Sequence, residues 1–94
     1  MNSTLLKIQQ FADRAHGKQM RKYSNDRYIV HPIRVMETCM NYTSKTALLA
    51  AALLHDVLED TAVTETELLH YLETLMDTEA AHETLKLVVE LTDV

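Results

Sequence analysis

Glycine and proline are nearly absent from this chain, since each occurs once in 94 residues. A fold with many strands needs these residues at its tight turns, so their scarcity argues against an all-β architecture. Hydrophobic residues make up 47% of the chain, enough for one small domain with a real core. We therefore predict an all-α fold, a compact bundle of about five helices that forms a single domain over residues 1–94.

Cysteine and long apolar runs are equally scarce. Cys39 is the only cysteine, so no disulfide forms within the chain, and the N-terminus has neither the basic segment nor the apolar core of a signal peptide. The longest apolar run spans residues 47–54, far short of the roughly 20 residues that cross a bilayer. These absences predict a soluble cytoplasmic protein with no membrane partner.

Basic residues are almost missing from the second half of the chain. Residues 1–45 hold eight Lys or Arg and three Asp or Glu, whereas residues 46–94 hold one and eleven, within a net charge of −5. Nucleic-acid binding is usually marked by a basic domain, so we predict no nucleic-acid partner. A site for a small anion held together with a cation suits this charge distribution better.

Helical spacing and capping residues divide the chain into five predicted helices. Ser3 is placed to cap the first helix and Gly17 to end it. Pro32 suits the first turn of the second helix, with His31 extended just before it. The three remaining predicted starts are a cap at Ser44, a capping box over Thr64–Glu67, and Asp77 or Thr78.

The third helix is predicted to run through "LLHDVLED", where four ionisable side chains follow an apolar run. Carboxylates near a helix C-terminus oppose the helix dipole, and a bound cation would reverse that cost. In a continuous helix His55 lies beside Glu59 and Asp56 beside Asp60, because each pair is four residues apart. An imidazole and a carboxylate side by side can share a metal ion. The alternative is a helix end that emerges into solvent, with His55 as a core histidine.

Two further features are compatible with such a site. His31 can project inward from the start of a helix, although a lone histidine is often structural. Arg21 and Lys22 lie in a basic stretch that could hold phosphates, and the alternative is a solvated surface loop. His70 and His82 stand among polar neighbours on amphipathic helices, so we predict that both are surface residues.

Four segments together resemble the HD-domain metal phosphohydrolases. They are "FADRAHGKQMRK", "YIVHPIRV", "ALLAAALLHDVLEDT" and "LVVELTD". Within that superfamily the chain is similar to the hydrolase domain of the RelA/SpoT family and to the small enzymes that degrade the alarmone (p)ppGpp. The resemblance implies removal of the 3′-pyrophosphate from a guanine nucleotide, with Mn²⁺ as the typical metal.

The same resemblance implies a role for each site residue. His31, His55 and Asp56 match the metal ligands, while Glu59 and Asp60 match the acidic pair that positions the attacking water and handles protons. Arg21 and Lys22 match the basic pair that contacts the nucleotide and its phosphates.

The family's fourth metal ligand is an aspartate in a later helix, and this chain stops at Val94 before reaching it. Asp93 belongs to the preceding "LTD" segment and is not predicted to be a ligand. The HD-like domain is therefore expected to be the N-terminal part of that fold. A catalytically impaired nucleotide-binding or regulatory module is the alternative function. Apolar surface left exposed in such a chain predicts a homo-oligomer.

Overall fold

The helix α3, Thr46–Leu54, lies at the centre of the computed structural model, which describes residues 3–17 and 29–92. All residues from 49 to 54 are buried, and α3 packs against the first, second and last helices. Full burial of one leucine contributes about 1.5–3 kcal/mol, so Leu49, Leu53 and Leu54 make α3 a major source of stability. The prediction of a central helix surrounded by apolar neighbours is confirmed.

Five other helical segments surround α3. They are α1 (Ser3–His16), α2 (Val30–Cys39), α4 (Val57–Asp60), α5 (Glu65–Glu73) and α6 (Thr78–Thr92). No strand occurs in either described range. The predicted all-α bundle of about five helices is confirmed, with α4 as one additional short turn. None of the described helices combines the length and apolar character needed to cross a membrane.

Several predicted helix ends are confirmed by the backbone. The N–H of Gly17, whose φ is 59°, donates to the Asp13 carbonyl at 3.0 Å and ends α1. The Thr64 hydroxyl accepts from the Glu67 N–H at 3.1 Å, so Thr64 caps α5 as predicted. The Glu67 carboxylate accepts from the Thr64 hydroxyl at 3.1 Å, instead of from the backbone N–H that a capping box uses. An Asp77 carboxylate oxygen accepts from the backbone N–H of Ala80 at 2.7 Å at the start of α6.

The predicted start of α2 is wrong by two residues. The helix begins at Val30, so His31 is helical rather than extended, and the Ile33 N–H donates to the Ile29 carbonyl at 3.2 Å. Pro32 is tolerated as the third helical residue because the first N–H groups of a helix have no partner within the helix. The proline therefore does not mark the helix start.

The predicted cap at Ser44 is also wrong. Lys45 occupies the N-cap position of α3 with an extended backbone and makes no side-chain capping bond. Its N–H donates instead to the Thr43 hydroxyl at 3.1 Å. The chain thus turns between α2 and α3 through a local Thr–Lys bond rather than a serine cap.

The predicted continuous helix through Asp60 is interrupted after Leu54. His55 and Asp56 form a turn, and the chain resumes as α4 at Val57. The Thr92 hydroxyl on α6 donates to the His55 carbonyl at 2.8 Å and lies 2.7 Å from the Val88 carbonyl. A partner from another helix therefore occupies the His55 carbonyl where the helix is interrupted.

Candidate metal centre

Three side chains from two helices meet at the C-terminal end of α3. His31 Nε2 lies 3.8 Å from Asp56 Oδ2, and His55 Nε2 lies 3.0 Å from the same oxygen. Each residue offers one ligand atom, and the three atoms lie within 4.8 Å of one another. The fold thus brings together the three residues that the sequence predicted as metal ligands.

The donor set and its spacing fit a divalent cation. Two imidazole nitrogens and a carboxylate oxygen suit hard or borderline metals. Ligand atoms that share one ion at about 2.0–2.2 Å lie about 3–4 Å apart, which is close to the two measured separations.

The orientation of the His55 ring is fixed by its own helix. Its Nδ1–H donates to the Ala52 carbonyl at 2.6 Å, since a carbonyl oxygen can only accept. That bond assigns the proton to Nδ1 in the neutral ring and leaves the Nε2 lone pair for a ligand. A backbone carbonyl on the second nitrogen is a common support for a metal-binding histidine.

Two consecutive residues at the interruption between α3 and α4 each contribute a ligand atom to the cluster. Successive side chains of a regular α-helix point about 100° apart, because the helix has 3.6 residues per turn. His55 and Asp56 instead approach each other to 3.0 Å. Asp56 occupies the N-cap position of α4, yet its carboxylate makes no capping bond and lies against the imidazoles.

Negative charge and burial shift the pKa of His55 in opposite directions. The hydrogen bond to the Asp56 carboxylate raises the pKa of His55 above its usual 6.5, whereas burial lowers it. The Ala52 carbonyl and the charges of Asp56 and Asp60 raise the pKa further, so the net shift is upward. The same charges favour any cation at this position, whether a proton or a metal ion.

His31 completes the cluster from α2. Its ring lies edge-on to that of His55, with centroids 5.4 Å apart and planes at 66°. The side chain of His31 is 38% exposed, compared with 18% for each of the other two residues. A ligand therefore has access from the His31 side of the site.

The predicted acid–base pair follows these ligands on α4. Glu59 and Asp60 are both exposed. The charge of Asp60 contributes to the raised pKa of His55, so this carboxylate lies within electrostatic range of the cluster. The continuous helix on which the two predicted rows depended is interrupted by the turn at His55 and Asp56, between the end of α3 and the start of α4.

The other predicted residues have different outcomes. Arg21 and Lys22 lie outside the described residues, as does Asp93. His70 and His82 are exposed, as predicted, and His82 Nδ1–H donates to the Thr78 carbonyl at 2.8 Å.

Comparison with known proteins agrees with this geometry. The sequence profile of the HD domain matches residues 9–94. The chain belongs to the HD-domain family. Relatives of this HD domain include the bifunctional (p)ppGpp synthase/hydrolase RelA of Mycobacterium tuberculosis, which is 42% identical over 59 residues. That alignment covers 63% of this chain and 8% of the relative.

Two other relatives carry hydrolase names. The guanosine-3′,5′-bis(diphosphate) 3′-pyrophosphohydrolase of Aquifex aeolicus is 41% identical over 59 residues, covering 63% of this HD domain and 8% of the relative. The probable enzyme of the same name from Mycoplasma pneumoniae is 33% identical over 64 residues, covering 68% and 9%. This HD domain thus matches less than a tenth of the length of each relative.

Two supporting groups were not assigned a role from the sequence. The Ala52 carbonyl could have been inferred from its position one turn before His55 on the same helix. Thr92 lies within the "LVVELTD" segment, but its bond to the His55 carbonyl joins residues far apart in the sequence. No local pattern predicts that contact.

Proposed function

We propose that this HD domain belongs to a metal-dependent phosphohydrolase that removes the 3′-pyrophosphate from guanosine-3′,5′-bis(diphosphate) or a close relative. The observation that carries the proposal is the meeting of His31, His55 and Asp56 at the end of a buried helix. The names of relatives with 33–42% identity support the nucleotide substrate.

In this proposal His31, His55 and Asp56 hold the cation, for which we propose Mn²⁺. A divalent cation held there would polarise a phosphoryl oxygen and lower the pKa of a water molecule. The protein supplies the rest of the arrangement. The Ala52 carbonyl holds the His55 ring, and the exposed edge of His31 leaves the approach open to a phosphate.

Glu59 and Asp60 are proposed to orient the attacking water and to transfer protons. Both carboxylates are exposed on the turn that directly follows the ligands, and Asp60 already acts on His55 through its charge. A carboxylate in such a place can accept a proton from water and return it to a leaving group. Arg21 and Lys22 are proposed to neutralise the phosphates, because guanidinium and ammonium groups pair well with phosphoryl oxygens.

The direct test is release of pyrophosphate from guanosine-3′,5′-bis(diphosphate) by the full chain with Mn²⁺. We expect turnover that a chelator abolishes, that Asp56→Asn removes, and that Glu59→Gln reduces about 10²–10⁴-fold. Glu73→Gln is the matched control, because Glu73 is an exposed glutamate at the end of α5. Absence of turnover in the wild type, or turnover unchanged in Asp56→Asn, would contradict the proposal.

Calorimetry separates the enzyme from a regulatory module. Nucleotide binding that does not respond to a chelator or to His55→Ala would favour a module that binds nucleotide without catalysis. We also propose a cytoplasmic location and a homo-oligomer. Leu6, Met40, Tyr42 and Leu91 are exposed by 39–86%, and such apolar surface favours self-association. A monodisperse monomer in sedimentation at micromolar concentration would refute the oligomer.

A further inference from the structure

The backbone carbonyl of His55 lies between two of the proposed ligands and accepts a hydrogen bond from α6. His55 is the C-cap residue of α3, and Asp56 is the N-cap residue of α4. One peptide group joins them, and its oxygen accepts from the Thr92 hydroxyl at 2.8 Å. Thr92 lies at the end of α6, 37 residues further along the chain. A side chain of α6 therefore contacts the main chain between His55 and Asp56.

The end of α3 explains why this carbonyl needs a partner from another helix. The last four carbonyls of an α-helix have no N–H partner within the helix, and α3 ends at Leu54. The Val88 carbonyl lies 2.7 Å from the same hydroxyl, but it is inside α6, where carbonyls accept from N–H groups four residues further on. The single hydroxyl proton is therefore needed at His55 and not at Val88.

The planarity of the peptide group makes this bond a restraint on both ligands. A peptide group rotates only as a unit about the line between its two Cα atoms, because its C–N bond has partial double-bond character. A hydrogen bond to its oxygen restrains that rotation. The orientation of the same group sets the backbone from which the Asp56 side chain leaves. Asp56 Oδ2 lies 3.0 Å from His55 Nε2 and 3.8 Å from His31 Nε2.

The Thr92 bond complements the restraint on the His55 ring. His55 Nδ1–H donates to the Ala52 carbonyl at 2.6 Å, which sets the orientation of the ring relative to α3. The Thr92 hydroxyl instead restrains the peptide group that leads from His55 to Asp56. Loss of a group that orients metal ligands without touching the ion lowers metal affinity by about 10–100-fold. The same magnitude is expected for Thr92.

We infer that Thr92 is a positioning residue of the candidate metal centre, because its hydroxyl holds the His55–Asp56 peptide in an orientation that brings both side chains together. This role rests on the proposed function, in which His55 and Asp56 hold a divalent cation. It gives α6 a part in cation binding in addition to its packing against α3. Removal of the hydroxyl should then weaken cation binding as well as the fold.

Cation affinity distinguishes positioning from a purely structural contribution. A bond that is equally strong with and without the cation stabilises both forms alike, so its loss leaves the Kd of the folded protein unchanged. Without a bond that preorganises the ligands, cation binding must order the peptide itself, and the Kd rises. We would measure the Kd of Mn²⁺ for the full chain by calorimetry and by electron paramagnetic resonance. The temperature is one at which circular dichroism shows every variant to be folded.

Three substitutions of Thr92 separate the hydroxyl from the shape of the side chain. Thr92→Val should raise the Kd of Mn²⁺ by about 10–100-fold. Thr92→Ala should raise it similarly, and it places no methyl group against the two carbonyls. Thr92→Ser keeps the hydroxyl and should stay within about threefold of the wild type. A rise in Thr92→Val alone would mean that the added methyl group clashes, and it would overturn the inference.

Thr38→Val is the matched control. The Thr38 hydroxyl donates to the Arg34 carbonyl at 3.0 Å, which is a bond within one helix at an exposed position. This variant should leave the Kd of Mn²⁺ within about twofold of the wild type. An equal rise in Thr38→Val would overturn the positioning role, as would a Kd that is unchanged in both Thr92→Val and Thr92→Ala.

Hydrolysis separates this role from the proposed reaction. Mn²⁺ affinity that depends on the Thr92 hydroxyl, in a chain that releases no pyrophosphate from guanosine-3′,5′-bis(diphosphate), would support positioning and contradict the reaction. Turnover in the wild type with a Kd of Mn²⁺ that is unchanged in Thr92→Ala would support the reaction and overturn positioning. Wild-type protein that binds no Mn²⁺ would overturn both.

Discussion

Replacing Thr92 with valine tests whether α6 stabilises the chain at the interruption beside the candidate metal centre. The Thr92 hydroxyl has one proton and lies 2.8 Å from the His55 carbonyl and 2.7 Å from the Val88 carbonyl. Valine keeps the shape of threonine and removes the hydroxyl. The variant therefore deprives the His55 carbonyl of this donor without changing the volume packed against α3.

The magnitude follows from the loss of a hydrogen bond at a partly buried carbonyl. An unsatisfied buried polar group costs about 1–3 kcal/mol, and partial access of water places the expected loss at about 1–2 kcal/mol. For a domain of this size each kcal/mol shifts Tm by about 4–8 °C. We therefore expect Thr92→Val to lower Tm by roughly 4–16 °C in calorimetry of the metal-free protein, and to lower the free energy of unfolding in urea by about 1–2 kcal/mol.

Thr38 supplies a matched control on the surface. Its hydroxyl donates to the Arg34 carbonyl at 3.0 Å, which is the same four-residue bond that Thr92 makes with Val88, but without a contact to another helix. Thr38→Val should change stability by less than about 0.5 kcal/mol. Thr92→Ser should restore most of the loss because it retains the hydroxyl. Equal effects of Thr92→Val and Thr38→Val would refute a special role for the bond to His55.

Three further predictions concern the metal centre and the packing of α1. In chelated protein, NMR titration should place the His55 pKa above 6.5, and Asp56→Asn should lower it because the largest cause of the shift is lost. An unchanged His55 pKa in Asp56→Asn would contradict that cause. Because the folded state holds this proton more tightly, His55 stabilises the metal-free fold fully below pH 6.5 and loses that contribution as pH rises through the raised pKa. Mn²⁺ at 100 times the Kd of the wild type should stabilise the protein by about 2.7 kcal/mol in thermal unfolding, and an equal gain in His31→Ala at the same Mn²⁺ concentration would exclude His31 as a ligand. Tyr71→Phe should lower the free energy of unfolding in urea by about 1 kcal/mol, because the Tyr71 hydroxyl donates to the Lys7 carbonyl at 3.0 Å. The stacking of its ring on Phe11, with centroids 4.2 Å apart, is retained in the variant. A loss of several kcal/mol would mean that the ring packing had also changed.

Features that depend on neighbouring residues could be predicted from the sequence. The N-cap at Thr64 and the helix end at Gly17 use partners three or four residues away, and both form as expected. The apolar run of α3 predicted burial correctly, because a helix that is apolar on every side must be surrounded. The ligand trio was predicted by combining spacing with the resemblance to a family.

Features that depend on contacts between residues far apart in the chain could not be predicted from the sequence. The interruption after Leu54 is accompanied by a bond from Thr92 on another helix, which no rule of helix propensity can include. The predicted start of α2 was wrong because proline is tolerated at several positions of a first helical turn. Pro32 alone therefore does not show which position of that turn it occupies.

The arrangement of the three proposed ligands would also couple cation binding to folding. His55 and Asp56 are consecutive residues, whereas His31 comes from α2. A cation held by all three would link α2 to residues about 25 positions further along the chain, and a cation that binds only the folded chain stabilises it by RT ln(1 + [cation]/Kd). Metal content would then set the folding stability of the α2–α3 hairpin as well as its chemistry.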